Sequence, residues 1–523
     1  MTKIKYVAAI TLLLLSACDV RVPKNPRWLV YHLSAEPDTL NPITATDVYE
    51  SRINSFIHEA LIERDNETLE WKPKLAKSWD ISADKLSFTF HLRDDVKWHD
   101  GTPFTADDVI YSYERIKDPK VLAPDLRNYY QDVKKVEKLD EHTVRFVWSE
   151  PYFKAFEFSG GMPIVAKHLF DDGKDFNKHP MGRHPVGTGP YKFVKWDTGK
   201  KIVIEKNPDY WDKKKPPELD GVLFKVITDD TVALQELKKN DLDLTSLRPI
   251  QWVRQTESEK FKHDFVRHQY FTPGYRFVGW NLRRVFFKDR YVRQALTRLI
   301  NRQAIVDKLE FGLGKVISGP FFFQSYEYNS KILPFSYDPV EAKRLLDQAG
   351  WKDSDGDGIR DKDGIPFRFT FLIPSGARFY ERLATLMKED FSKAGIDMEI
   401  QKMEWATFLN RIKARDFDAT ALGWSVGFDQ DPYQVWHSSQ VKEGSNFVGF
   451  ENEEADRLLE DARRIFDKDE RAALYHRFHE IVHEEQPYTF LYTGPALVAR
   501  SARFQNVKVY PAGLDIMEWR LEE

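Results

Sequence analysis

The sequence predicts a mixed α/β protein, strand-rich in its first half and helix-rich in its second. Three stretches carry that reading. Residues 86–92 alternate apolar and polar, the period of a half-buried strand. Asp338-Pro339-Val340-Glu341 is a helix start, with an N-cap Asp, Pro at N1 and Glu at N3. Ile396, Met398 and Ile400 alternate with polar residues between helical patterns. In chain order, short strands with turn punctuation begin at Trp28. His99-Asp100-Gly101-Thr102-Pro103 is a turn, and Thr105-Ala106-Asp107-Asp108 opens a helix with acidic residues in its first turn. A second strand-rich stretch, 187–244, is broken by Lys213-Lys214-Lys215-Pro216-Pro217. After Gly274 helices and strands alternate. The helix begun at Asp338 places Ala342, Leu345, Leu346 and Ala349 on one face and stops at Gly350.

The 523 residues suit two or three domains, and with 42% hydrophobic and 14% aromatic residues they can bury large cores. Lysine and arginine number 78 against 82 acidic residues, without a basic stripe, which argues against a nucleic-acid partner. The 14 Trp and 22 Tyr suit surfaces that hold ligands with amphipathic rings.

Residues 1–17 have the layout of a secretory signal: Lys3 and Lys5, an apolar run over 7–15, then small residues. Leu15-Ser16-Ala17-Cys18 resembles the lipobox of bacterial lipoproteins, which implies cleavage before Cys18, the one cysteine, and its acylation. Residues 18–27 would then be a tether. Asp19 would hold an enteric-type lipoprotein at the inner membrane, on its periplasmic side; without an outer membrane the anchor would lie at the cell surface.

Two motifs would suit hydrolysis. Gly423-Trp424-Ser425-Val426-Gly427 has the form of a nucleophile elbow, but Pro432 and the Asp residues after it argue against the helix that an elbow needs. His479-Glu480-Ile481-Val482-His483 has the form of a zinc-protease helix. At 100° per residue both histidines fall roughly 140–180° from Leu474 on the apolar face, so a solvated helix face is expected. A better metal candidate is the loop with Asp353, Asp355, Asp357 and Asp361 at EF-hand positions 1, 3, 5 and 9, although Gly364 stands where a bidentate Glu belongs. It would hold structural calcium or be a metal-free acidic turn; no other cofactor is expected.

Longer blocks carry a family resemblance. Lys74-Leu75-Ala76-Lys77-Ser78-Trp79 precedes Leu92-Arg93-Asp94-Asp95-Val96-Lys97-Trp98-His99-Asp100-Gly101-Thr102-Pro103-Phe104-Thr105-Ala106-Asp107-Asp108-Val109. Glu36-Pro37-Asp38-Thr39-Leu40-Asn41-Pro42, Gly187-Thr188-Gly189-Pro190-Tyr191, Asn207-Pro208-Asp209-Tyr210-Trp211, Asn281-Leu282 and Val292-Arg293-Gln294-Ala295 follow the same order of blocks. The chain resembles solute-binding family 5, the extracellular peptide- and nickel-binding receptors of ABC importers. The resemblance implies a three-domain periplasmic-binding-protein-like clamshell, type II with an extra inserted domain, joined by a two-strand hinge. Domain I would comprise 28–66, 186–272 and 490–523, the inserted domain II 67–185, and domain III 273–489.

It further implies a monomeric, non-enzymatic receptor that captures a short peptide between two lobes and delivers it to the permease subunits. A nickel chelate, haem or an oligosaccharide is the alternative cargo, and a serine hydrolase or zinc protease the remote one. Ligand contacts are expected from Glu36, Trp424, Ser425, Asp429, Trp436 and His437. In peptide-binding members an Asp about three residues after the Trp pairs with the ligand's α-ammonium; here that position is Gly427, with Asp429 and Asp431 beyond it.

Overall fold

A computed structural model describes residues 27–521; the expected signal, the tether before Arg27, and Cys18 lie outside that range. The chain folds as a multi-domain α/β clamshell around three main sheets. The first runs, in spatial order, Phe265–Phe271, Pro495–Ser501, Leu244–Ser246, Trp28–Leu33, Gly221–Val226, Lys201–Lys206 and Tyr191–Asp197. Trp28–Leu33 is parallel to both its neighbours, and the other pairs are antiparallel. Both faces are covered: along Pro495–Ser501, Val498 packs into one apolar cluster while Leu497 and Ala499 pack into another.

The second sheet has the order Lys315–Val316, Tyr488–Thr493, Gly274–Trp280, Ala419–Ser425, Arg368–Pro374 and Asp397–Met403. It too is covered twice, with Val278 and Trp280 facing one cluster and Tyr275 and Phe277 the other. The third is an antiparallel four-stranded sheet, Ala76–Ile81, Ser87–Leu92, Thr143–Trp148 and Val133–Asp140. Its inner face carries Phe88, Phe90, Val144, Phe146 and Trp148, while Lys77 and Asp80 are exposed.

Local signals work as the sequence predicts. Asp338 accepts from the N–H groups of Val340 (3.2 Å) and Glu341 (3.0 Å) to start the helix Pro339–Gln348. Gly350 at φ +85° ends it. Asp108 accepts from the Thr105 N–H (3.0 Å) to close the cap of Ala106–Lys117.

Two neighbouring antiparallel strands carry the chain between the large sheets. Phe265–Phe271 and Pro495–Ser501 pair in the first sheet, Gly274–Trp280 and Tyr488–Thr493 in the second. Both connections are short, through Thr272-Pro273 and through Gly494. Tyr488–Thr493 therefore lies wholly in the second sheet, and the boundary expected at 489/490 moves to Gly494.

The helix Lys468–Glu485 corrects a second expectation. His479 is fully buried rather than solvated, because the segment around Ser318 and Asn329 covers that side of the helix. Its Nε2 lies 3.1 Å from Ser318 Oγ, and its Nδ1 accepts the Asn329 N–H at 3.2 Å. A Cβ on Gly319 would stand 2.0 Å from Nε2, so only glycine lets the backbone approach this closely. Burial pushes His479 down to about 3 and His483 to about 4.

Candidate functional site

The first lobe is built on the first and third sheets, and the second lobe on the second sheet. The family-like blocks of the first lobe converge on one carboxylate outside the cavity between the lobes. Glu59 accepts from Thr188 Oγ1 (3.0 Å), Tyr210 Oη (2.7 Å) and Trp211 Nε1 (2.9 Å), and Lys74 Nζ lies 3.3 Å away. Burial pushes the Glu59 carboxyl up, offset in part by Lys74 and these hydrogen bonds. Gly187 and Gly189 press against the end of the helix Val48–Ile57: a Cβ on Gly187 would meet Ile57 O at 1.8 Å. The blocks thus build scaffold.

The cleft is built around the strand Ala419–Ser425. Along one edge it pairs with Gly274–Trp280 over its full length. Along the other, Arg368–Pro374 pairs only with Ala419 and Thr420. Among the described residues, the edge from Leu422 to Ser425 therefore has no second neighbouring strand, and Gly423 and Ser425 are exposed. This edge opens into a cavity of about 820 Å³ between the second lobe and residues 124–158 of the first.

Aromatic rings form the walls. Tyr129 and Phe158 stack at 4.4 Å on one side, and Trp424 stacks on Phe447 at 5.9 Å on the other. Trp405, 52% exposed at the start of the helix Trp405–Lys413, stands at the rim. Such walls contact many side chains without demanding one.

Trp424 and Ser425 line this cavity. Asp429 instead reaches across the lobes, 3.4 Å from Arg64 and 3.6 Å from Lys468. Burial would raise its carboxyl, but Lys468, Arg64, Arg471 and Lys154 more than offset this and hold it below the usual range. Asp431 accepts from Tyr152 Oη at 2.8 Å and lies 3.1 Å from Arg463 Nε. Arg463 is sandwiched between Tyr152 (4.5 Å) and Tyr433 (4.4 Å), and its carbonyl accepts the Phe153 N–H (2.8 Å). Residues 152–154 therefore clip the inserted sheet's domain to the second lobe.

Trp436 is fully buried against Tyr488 (4.6 Å) and belongs to the core. His437 stacks on Tyr433 at 4.1 Å and contacts Glu460, away from the cavity lining. Glu36 accepts from Trp196 Nε1 (2.7 Å) and the Gly199 N–H (2.9 Å), pinning a hairpin. The sequence reading missed Tyr129, Lys154, Phe158, Trp405, Arg415 and Phe447, which lie in no recognisable motif.

In the acidic loop, carboxylate oxygens of Asp353, Asp355 and Asp357 lie within 4.8 Å of one another. Asp361 accepts from Ser354 N–H and Oγ instead (2.9 and 2.7 Å). Such exposed acidic groups are common without an ion, and the turn's own hydrogen bonds account for their positions. After Ser425 the next helix begins only at Tyr433, so Ser425 is not on a strand-to-helix elbow.

The sequence pattern of bacterial extracellular solute-binding proteins, family 5 Middle, matches residues 70–446. The oligopeptide-binding protein AppA of Bacillus subtilis is 33% identical over 500 residues, 94% of this chain and 90% of that protein. Its structure in complex with a nonapeptide superposes with a TM-score of 0.83 at 31% identity, covering 95% of this chain and 99% of that one. The structure of NikZ from Campylobacter jejuni in complex with Ni(L-His) gives 0.81 at 28% identity, covering 94% and 99%. A match over most of the chain in sequence, and nearly all of it in fold, places this chain among the bacterial extracellular solute-binding proteins of family 5.

Proposed function

We propose that the protein is the substrate-binding receptor of an ABC importer, capturing short peptides between its lobes and delivering them to the permease. One observation carries this reading: the strand edge from Leu422 to Ser425 has no strand partner on that side among the described residues and lines an aromatic-walled cavity. An extended peptide added there gains main-chain hydrogen bonds regardless of sequence, while the rings receive its side chains. Relatives that bind peptides support it. A nickel chelate finds less support, since no histidine or cysteine lines the cavity among the described residues.

The receptor works outside the cytoplasm as a monomer, with no chemistry of its own, and Cys18 carries the acyl anchor that keeps it near the permease. Two or more acyl chains give a stable tether, and the tether raises the effective concentration for docking. Native mass spectrometry of the protein purified without refolding tests the cargo. A heterogeneous set of peptide masses is expected; a single non-peptide mass would sink the peptide reading.

A further inference from the structure

The cavity's charges point to a narrower cargo. Both carboxylates that follow the edge strand are committed elsewhere. Asp429 faces Arg64 and Lys468, and Asp431 faces Arg463 and Tyr152 Oη. Asp429 is not among the residues that line the cavity. Asp431, which is, already has its charge balanced by Arg463 and its oxygen taken by Tyr152 of the other lobe, so a ligand ammonium there would compete with a cation in place. Gly427, the nearer position on the chain, offers no side chain at all.

The remaining charges are mostly positive. Lys154 is paired with Glu157 at 3.0 Å and donates to the Asp429 carbonyl at 3.1 Å. Setting aside these pairs, the lining holds Lys413, Arg415 and Lys442 against Glu443. None of the three cations has a carboxylate within 4.0 Å among the described residues. Arg415 is anchored through the carbonyls of Lys413, Val441 (3.2 Å) and Gly444 (2.6 Å), so its charge is fixed in place and left unneutralised. Cations gathered in a low-dielectric cleft raise the local concentration of anionic ligands and disfavour cationic ones.

We propose that this cleft does not recognise a free α-ammonium and selects peptides by their carboxylates. N-blocked peptides are then ligands as good as free ones, and acidic peptides are preferred to basic ones. The inference rests on the peptide reading, and one experiment separates the two. The full chain, stripped of bound ligand, is incubated with equimolar pools of short synthetic peptides of matched length. The pools are free or Nα-acetylated, with acidic or basic side chains, and the retained masses are read by native mass spectrometry. Acetylated and free peptides should be retained alike. Acidic peptides should exceed basic ones by about fivefold, the scale of a few exposed charge contacts. The double variant Lys413→Glu/Lys442→Glu, both positions exposed, should abolish or reverse that preference. Tenfold or greater loss of acetylated peptides would overturn the proposal while leaving peptide capture intact; so would a preference for basic peptides, or an acidic preference unchanged in the double variant. Retention of no peptide from any pool would overturn both readings together.

Discussion

Glu59 and Asp429 are both largely buried carboxylates facing cations, yet they do different work. Every partner of Glu59 lies in the first lobe, on blocks that the sequence announces, and the group is nearly closed to solvent. The partners of Asp429 come from both lobes, Arg64 from the first and Lys468 from the second, and no block marks them. A carboxylate satisfied within one lobe stabilises that lobe whatever the cleft does. A carboxylate satisfied across the lobes stabilises only the closed arrangement.

That contrast can be broken experimentally. The largest effect is expected from Glu59→Ala, which leaves the donors of Thr188, Tyr210 and Trp211 without their shared acceptor, while Lys74 keeps Glu63 at 3.0 Å. Removing an acceptor shared by three donors costs about 3 kcal/mol or more, read as a fall in thermal midpoint. A midpoint within a degree of the parent would mean that the hub contributes nothing. Asp431→Ala comes next. It strands Arg463 and Tyr152 at the clip between lobes, at about 2–3 kcal/mol of the closed form. Small-angle scattering should show a larger ligand-free radius with secondary structure unchanged; an unchanged radius would deny the clip its role.

Acid tests the second lobe at a similar or smaller scale. His479 is neutral in the fold, with its pKa lowered from 6.5 to about 3, so between those values the unfolded chain binds the additional proton. Stability therefore falls as pH drops below 6.5, by up to about 2 kcal/mol from this group at pH 5. His479→Gln should flatten the dependence of thermal midpoint on pH, even if it lowers the midpoint overall. Asp429→Asn, the mildest change, should loosen closure by about 1 kcal/mol. It should leave the ratio of free to acetylated peptide binding unaltered, whereas selective loss of the free peptides would make Asp429 the ammonium acceptor after all.

Much of the fold was legible where the cause is local. The cap at Asp338, the stop at Gly350 and the alternation over 86–92 depend on neighbours a few residues away. His479 shows the opposite case. The helical wheel finds one apolar face, but the segment around Ser318 encloses the other side, and no periodicity within the helix reports it. The cleft was half legible. Trp424 and Ser425 belong to a block resembling the family's, and they do line the cavity. Tyr129, Phe158 and Trp405 reach it because distant stretches of chain are folded together, while Trp436 and His437, close to Trp424 in sequence, turn into the core and onto Tyr433.

The paired crossing at Thr272-Pro273 and Gly494 has a mechanical consequence. Two links side by side, about 5 Å apart in a sheet, resist twisting and leave the lobes essentially one angle through which to swing. Gly274, immediately past one link, pairs with Ser425, so the open strand edge starts beside the pivot. A point near a pivot travels least. A peptide laid along that edge would stay with the second lobe as the first swings away, still in the pose in which it was captured. Opening would uncover the cargo on one side and leave it held on the other, so that the permease meets a presented ligand rather than one already adrift.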